Sequence, residues 1–198
     1  MMKHSTSHES VFQLSNIIIY YQQLLATNPI KYSIYGRDKI DDVELIKYKM
    51  ASQVWSPEKL VPPQTWFHNL DIYIPTIPKP KYALIIINSG GRYNYKNFLP
   101  DFNKEMLLDI AKKTNTIVIS INNIVNSYVL SNDDNKFLNE NDQQYDLIAR
   151  NWALFMNNPE RRVLPLDIPM TAVVSQTIRF TKQELKNGIS INLLYQAY

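Results

Sequence analysis

Residues 82–122 hold the pattern that most limits what this chain can fold into. YALIIIN (82–88) is a continuous apolar run, FNKEMLLDIAKKTN (102–115) has apolar residues at helical spacing, and TIVISINN (116–123) is a second apolar run. A strand without polar alternation is covered on both faces, which is the habit of parallel sheets. Strand, helix and strand in about 40 residues make a βαβ unit with a parallel pair. The chain is therefore expected to be α/β, built on a sheet that contains this βαβ unit.

The flanking segments fit around this unit. SVFQLSNIIIYYQQLLA (10–26) carries apolar residues at 14, 17, 18, 21, 24 and 25, a helical pattern that Asn28-Pro29 ends. KYSIYGRDKIDDVELIKYKMASQVW (31–55) reads as two extended segments joined by a polar turn near Gly36 to Asp42. TWFHNLDIYIP (65–75) places Trp66, His68, Leu70, Ile72 and Ile74 on one face of a strand that Pro75 closes. PTIPKPK (75–81) is a proline-rich connection. Beyond the βαβ unit, SNDDNKFLNENDQ (131–143) reads as a surface loop and QQYDLIARNWALFMNN (143–158) as an amphipathic helix. PMTAVVSQTIRFTKQELKNG (169–188) is another helix, with Pro169 near its start and Asn187-Gly188 as its stop. ISINLLY (189–195) opens one more strand. The expected organisation is a polar leader over 1–14 and one α/β domain from 15 to 198, its sheet bearing antiparallel N-terminal strands.

Composition removes several classes of function. The net charge of +3 is spread thinly, without a run of five or six basic residues, which argues against nucleic acid as a partner. Arg161-Arg162 is the tightest basic pair and is expected in an exposed loop. There is no cysteine, so disulfides, thiolate metal sites and cysteine nucleophiles are excluded. The leader MMKHSTSHESVFQL lacks the apolar core of a signal peptide, and no stretch approaches the ~18 apolar residues of a membrane span. As written, the chain is expected in the cytoplasm, with no transmembrane segment.

Ser89-Gly90-Gly91 stands at the carboxyl end of the first apolar strand, where ligands gather in a parallel α/β sheet. Two adjacent glycines there have two readings. One is an oxyanion loop, with backbone N–H groups offered to developing negative charge. The other is a turn that needs positive φ. There is no G-x-G-x-x-G and no G-K-[ST], so a nucleotide site is weaker than either. His4 and His8 lie in the polar leader, and His68 alternates with apolar neighbours as a satisfied, half-buried histidine would. No metal-ligand spacing occurs; Asp133-Asp134 read as a solvated acidic cluster and Asp146 as structural. No cofactor is implied. G-x-S-x-G is absent, and no histidine follows residue 91, so a triad in the order serine, acid, histidine cannot be assembled.

A series of motifs resembles the PhoPQ-activated pathogenicity-related protein family. SQVW (52–55), WFHNLDIYIP (66–75) and ALIIINSGG (83–91) are similar to that family's S-Q-x-W, W-x-H-x-L-x-I-x-x-P and apolar strand ending in Gly-Gly. DIAKKTNTIVISINNIVN (109–126), YDLIARNWALFM (145–156) and LPLDIPMTAVV (164–174) resemble later segments in order and spacing, as do the N-terminal helix and Tyr32. Tyr145 stands where the family tends to have glutamate, and Ala172 replaces its usual lysine. The resemblance implies a hydrolase-like α/β fold of serine peptidase or esterase type, commonly exported, with a link to bacterial virulence regulation. It also implies that a nucleophile turn of the form G-x-S-K-R-G-W, with the serine, acid and histidine, would lie beyond Tyr198. On that basis Ser89, Gly90 and Gly91 correspond to half of an oxyanion hole, and no catalytic residue is expected within the chain.

Three functions follow as expectations. The first is a truncated, catalytically incomplete hydrolase-like protein whose cut sheet edge self-associates. The second is a binding protein of the same ancestry with a protein or peptide partner. The third is a small enzyme that uses His68 with a carboxylate.

Overall fold

The computed structural model describes residues 19, 23, 25–27, 29–55, 63–78, 82–88, 102–124, 149, 152, 153, 155–157, 165–185 and 192–196. The leader 1–14 lies outside them. The chain divides into two compact units, one of Met1–Pro29, Gln53–Gln64 and Ser127–Ala172, the other of Ile30–Ser52, Thr65–Asn126 and Val173–Tyr198.

Six strands form one sheet: β1 (Lys31–Ile40), β2 (Val43–Trp55), β3 (Gln64–Pro75), β4 (Tyr82–Ile87), β5 (Ile117–Asn122) and β6 (Asn192–Gln196). Their spatial order is β1-β2-β3-β5-β4-β6. β1 and β2 are antiparallel, as are β3 and β5. β4 runs parallel to β5 on one side and to β6 on the other. The expected βαβ unit is β4, helix α1 (Lys104–Thr114) and β5. The chain then returns past β4 to lay down β6, so successive strands leave β4 in opposite directions.

The β1–β2 turn is tighter than the sequence suggests. Ile40 pairs with Val43, so only Asp41 and Asp42 turn, and Gly36 lies inside β1 opposite Lys47. Asp41 takes φ 52°, a left-handed value that aspartate tolerates better than most residues. The register shifts between Ile34 and Gly36, a bulge that places Gly36 against its neighbour. A Cβ on Gly36 would approach Lys47 Cδ to 3.2 Å, so the glycine serves close packing and the aspartates make the turn.

Helix α1 begins with Asn103, whose side chain accepts from the Met106 N–H at 2.8 Å, and ends on Asn115 at φ 52°. Glu105 in the first turn and Lys112 and Lys113 in the last complement the helix dipole. Its inner face, Leu107 and Ala111, packs on Val43, Leu45, Tyr73, Ile86 and Val118. Each such large side chain contributes about 1.5–3 kcal/mol by leaving water.

Helix α2 (Asp167–Glu184) starts two residues before Pro169, which therefore sits in the first turn, where its missing N–H is not needed. The expected stop at Asn187-Gly188 lies outside the described residues. Thr177 and Thr181 are buried, and each hydroxyl donates to the carbonyl four residues back. Phe180 is fully buried, with the rings of Tyr32 and Tyr48 edge-on at 4.7 and 5.0 Å. Both tyrosine hydroxyls donate to Glu184, at 2.5 Å from Tyr32 and 3.5 Å from Tyr48. This aromatic cluster ties the end of α2 to β1 and β2.

Candidate functional site

The carboxyl ends of β4 and β5 are where a sheet of this kind presents its loops to a ligand. Two buried polar side chains fix how the chain leaves those strands.

Asn88 follows β4 directly and is 4% exposed. Its backbone N–H donates to Ile121 O at 2.8 Å, extending the β4–β5 ladder by one bond. Its Nδ2 donates to Phe102 O and to Ser120 Oγ, both at 3.1 Å, and its Oδ1 accepts from the Phe102 N–H at 3.2 Å. The carboxamide thus pairs with the Phe102 peptide as another peptide would, and both its donors are used. Phe102 immediately precedes the cap of α1. The segment 89–101 is therefore anchored at both ends by one residue. Ser89, Gly90 and Gly91 lie outside the described residues; what the structure places is the residue that launches them.

His68, on β3, is 1% exposed. Its Nδ1 is 2.8 Å from the carbonyl of Asn123 at the exit of β5, and its Nε2 is 2.8 Å from Ser52 Oγ on β2. A carbonyl only accepts, so Nδ1 carries the proton, Nε2 is bare, and the Ser52 hydroxyl donates to it. Burial pulls the imidazole down to about 4, against the opposing pull of the Asn123 carbonyl, so the ring is neutral at physiological pH. Asn123 itself adopts φ 60°, a left-handed conformation that turns the chain away from β5. The ring of Trp66 stands edge-on at 6.3 Å.

The polarity of Ser52, His68 and the Asn123 carbonyl matches that of a nucleophilic serine with its base and orienting acceptor. The environment does not. Ser52 is 4% exposed, and an imidazole titrating near 4 is a weak base for a hydroxyl proton. The cluster braces β2, β3 and the exit of β5. This corrects two expectations: His68 is satisfied but fully buried, and its partners are a hydroxyl and a carbonyl in place of a carboxylate. Ser52 has no local pattern that marks it as a partner of His68. It stands in SQVW and His68 in WFHNL, but 16 residues separate them and only strand pairing brings them together.

Asp71, also on β3, has a buried Oδ1 with no hydrogen-bond partner among the described residues. Burial raises its carboxyl, and Lys47 and Lys104 work in the other direction. A groove of about 530 Å³ lies at the hairpin end of the sheet, between Arg37, Glu44, Pro75 and Thr76, at the far end of the strands from Asn88. His4, His8, Asp133, Asp134, Asp146, Arg161 and Arg162 all lie outside the described residues. No described helix is long and apolar enough to cross a membrane.

The model of the PhoPQ-activated pathogenicity-related proteins matches residues 18–194, most of the chain. The chain belongs to that family. Among solved structures it is similar to a Bacteroides fragilis protein assigned as an acetyl xylan esterase, at 12% identity and TM-score 0.50, with 100% of this chain and 49% of that one covered. It is also similar to acetyl xylan esterase 1 of a Thermoanaerobacterium species, at 8% identity and TM-score 0.52, with 93% and 50% covered. At such identities the likeness is one of fold, which is that of α/β-hydrolase-type esterases. The chain spans about half the length of those structures. A search of curated proteins gave no match.

Proposed function

We propose that this family member carries the front half of a hydrolase-like domain, of serine esterase or peptidase type, and is catalytically incomplete by itself. The observation that carries the reading is the placement of β6, parallel to β4 on the side away from β5. In α/β-hydrolases the nucleophile turn follows a strand set centrally in the parallel sheet. Residues 1–198 contain no G-x-S-x-G and no histidine after His68, so these residues do not themselves supply an ordered triad. Ser52 and His68, the one serine–histidine pair among the described hydrogen bonds, are sealed in the sheet. Ser89, Gly90 and Gly91 are proposed to supply oxyanion donors only when a nucleophile is provided from elsewhere. The family description supports a role in bacterial virulence, and a transcript that rises when PhoPQ is active would bear on it.

The test is hydrolysis of p-nitrophenyl acetate and of a peptide anilide by the purified chain, with fluorophosphonate labelling in parallel. The expected result is neither turnover nor labelling. Turnover abolished by the fluorophosphonate would overturn the reading.

A further inference from the structure

The bonds of Asn88 leave one proton to be placed. The Phe102 N–H can only donate, so Asn88 Oδ1 must face it. Asn88 Nδ2 then turns its hydrogens to Phe102 O and to Ser120 Oγ. Ser120 Oγ is an acceptor in that bond, so its own hydrogen must go elsewhere. The Ser120 side chain is fully buried, and the bond from Asn88 is its one hydrogen bond among the described residues. Asp71 offers the complement. It stands directly opposite Ser120 in the β3–β5 pairing. Side chains opposite one another on antiparallel strands share a face, with Cβ atoms about 4.5–5.5 Å apart. Asp71 Oδ1 is buried and has no donor among the described residues. A buried hydroxyl hydrogen in want of an acceptor thus lies beside a buried carboxylate oxygen in want of a donor, and each left alone would carry its own desolvation cost.

We infer that Asp71 accepts the Ser120 hydroxyl hydrogen, directly or across one water, and is thereby a positioning residue for the join between β4 and α1. The bonds run from Asp71 to Ser120, Asn88 and Phe102, and each member fixes the direction of the next. The ionised carboxyl is the form that sets this direction; once protonated, it becomes a donor to the same hydroxyl, and the Ser120 bond is no longer fixed. Burial favours that protonated form, while Lys47 from β2 and Lys104 from α1 oppose it. Tyr35 from β1 and Tyr73 on β3 also face the carboxyl, and Glu105 of α1 faces Tyr73. The charge on Asp71 is therefore coupled to the residue from which Ser89, Gly90 and Gly91 follow. The inference rests on the hydrolase reading only for the use made of that join. Its bonds are read without substrate, so either can fail while the other stands.

The experiment is NMR of the full chain. In the wild type, the Asn88 side-chain amide signals should shift with falling pH at the same inflection as the Asp71 carboxyl carbon. Asp71→Asn keeps an acceptor opposite Ser120 but no titratable group. It should keep the Phe102 N–H protected from hydrogen exchange and abolish the inflection. Asp71→Ala and Ser120→Ala should each lower that protection by about tenfold, the worth of one hydrogen bond. The double variant should be no worse than Ser120→Ala, because the row of bonds is already broken there. An Asn88 amide that does not follow Asp71, an Asp71→Asn variant that exchanges as fast as Asp71→Ala, or additive losses in the double variant would overturn the proposal. The wild-type titration decides the matter even if the alanine variants do not fold.

Discussion

His68 makes acid stability a direct test of the interior. Its imidazole titrates near 6.5 when exposed and is pulled down to about 4 by burial between β2 and β5. The unfolded chain therefore takes up the proton first. The neutral ring's contribution is fully present above pH 6.5 and is lost as pH falls from 6.5 through about 4. Integrating between those two values gives a loss of about 2 kcal/mol between pH 7.5 and 5. Carboxylates also begin to titrate in that window, so the quantity to measure is a difference. Urea unfolding followed by tryptophan fluorescence, at steps from pH 7.5 to 5, would compare the wild type with His68→Gln. The wild-type curve should fall more steeply by that amount, and the variant should be less stable at pH 7.5. NMR titration of the His68 ring in the wild type is a second readout, and it should show no protonation down to pH 5. Parallel curves, or a ring that titrates near its ordinary value, would refute the buried, neutral assignment.

Three further outcomes are expected. Leu107→Ala, which removes the centre of the α1 contact with β2, β3, β4 and β5, should cost about 2–5 kcal/mol in urea or thermal melts. Asn88→Ala removes the two bonds to the Phe102 peptide and the one to Ser120 and should cost about 1–3 kcal/mol. Asn88→Asp should cost more at neutral pH than at pH 4, because a charged oxygen would then face the Phe102 carbonyl; equal costs at both pH values would count against the assigned amide orientation. Burial, with Glu184 nearby, pushes the Tyr48 hydroxyl up to about 12. The folded value lies above the unfolded one, so its contribution is complete below pH 10 and is lost as pH rises through 12, by about 3 kcal/mol at most. Tyr48→Phe should flatten that alkaline fall in a pH series of melts.

The parts of this fold that could be read from sequence are those set by period. The apolar runs at 82–88 and 116–123 and the alternation through Trp66, His68, Leu70 and Ile72 gave strands where strands stand, and the parallel order followed. The β1–β2 turn was placed too broadly, because Gly36 draws attention that belongs to Asp41, whose left-handed conformation has a weaker signature. Pro169 reads as a boundary and so marks the start of α2 two residues late, although a first turn accepts proline. Site geometry was the least legible part. The exposure and partners of His68 depend on Ser52 and on the Asn123 carbonyl, which reach it from two other strands. No local pattern encodes a contact made by strand order. Asn88 is similar: its position at a strand end was readable, but its pairing with Phe102 depends on the helix folding back.

The pairing of Asn88 with Phe102 bears on how such a chain can change over evolutionary time. The two residues are 14 apart in sequence, and their bonds close the intervening segment at its base. Closing a flexible loop costs only about 0.6 kcal/mol more for each doubling of its length. By that measure alone, a change in the length of chain between the two anchors carries a small penalty, and the bonds that join the strand to the helix stay in place. The join of strand and helix is set by Asn88 and Phe102, whatever the length of the path between them.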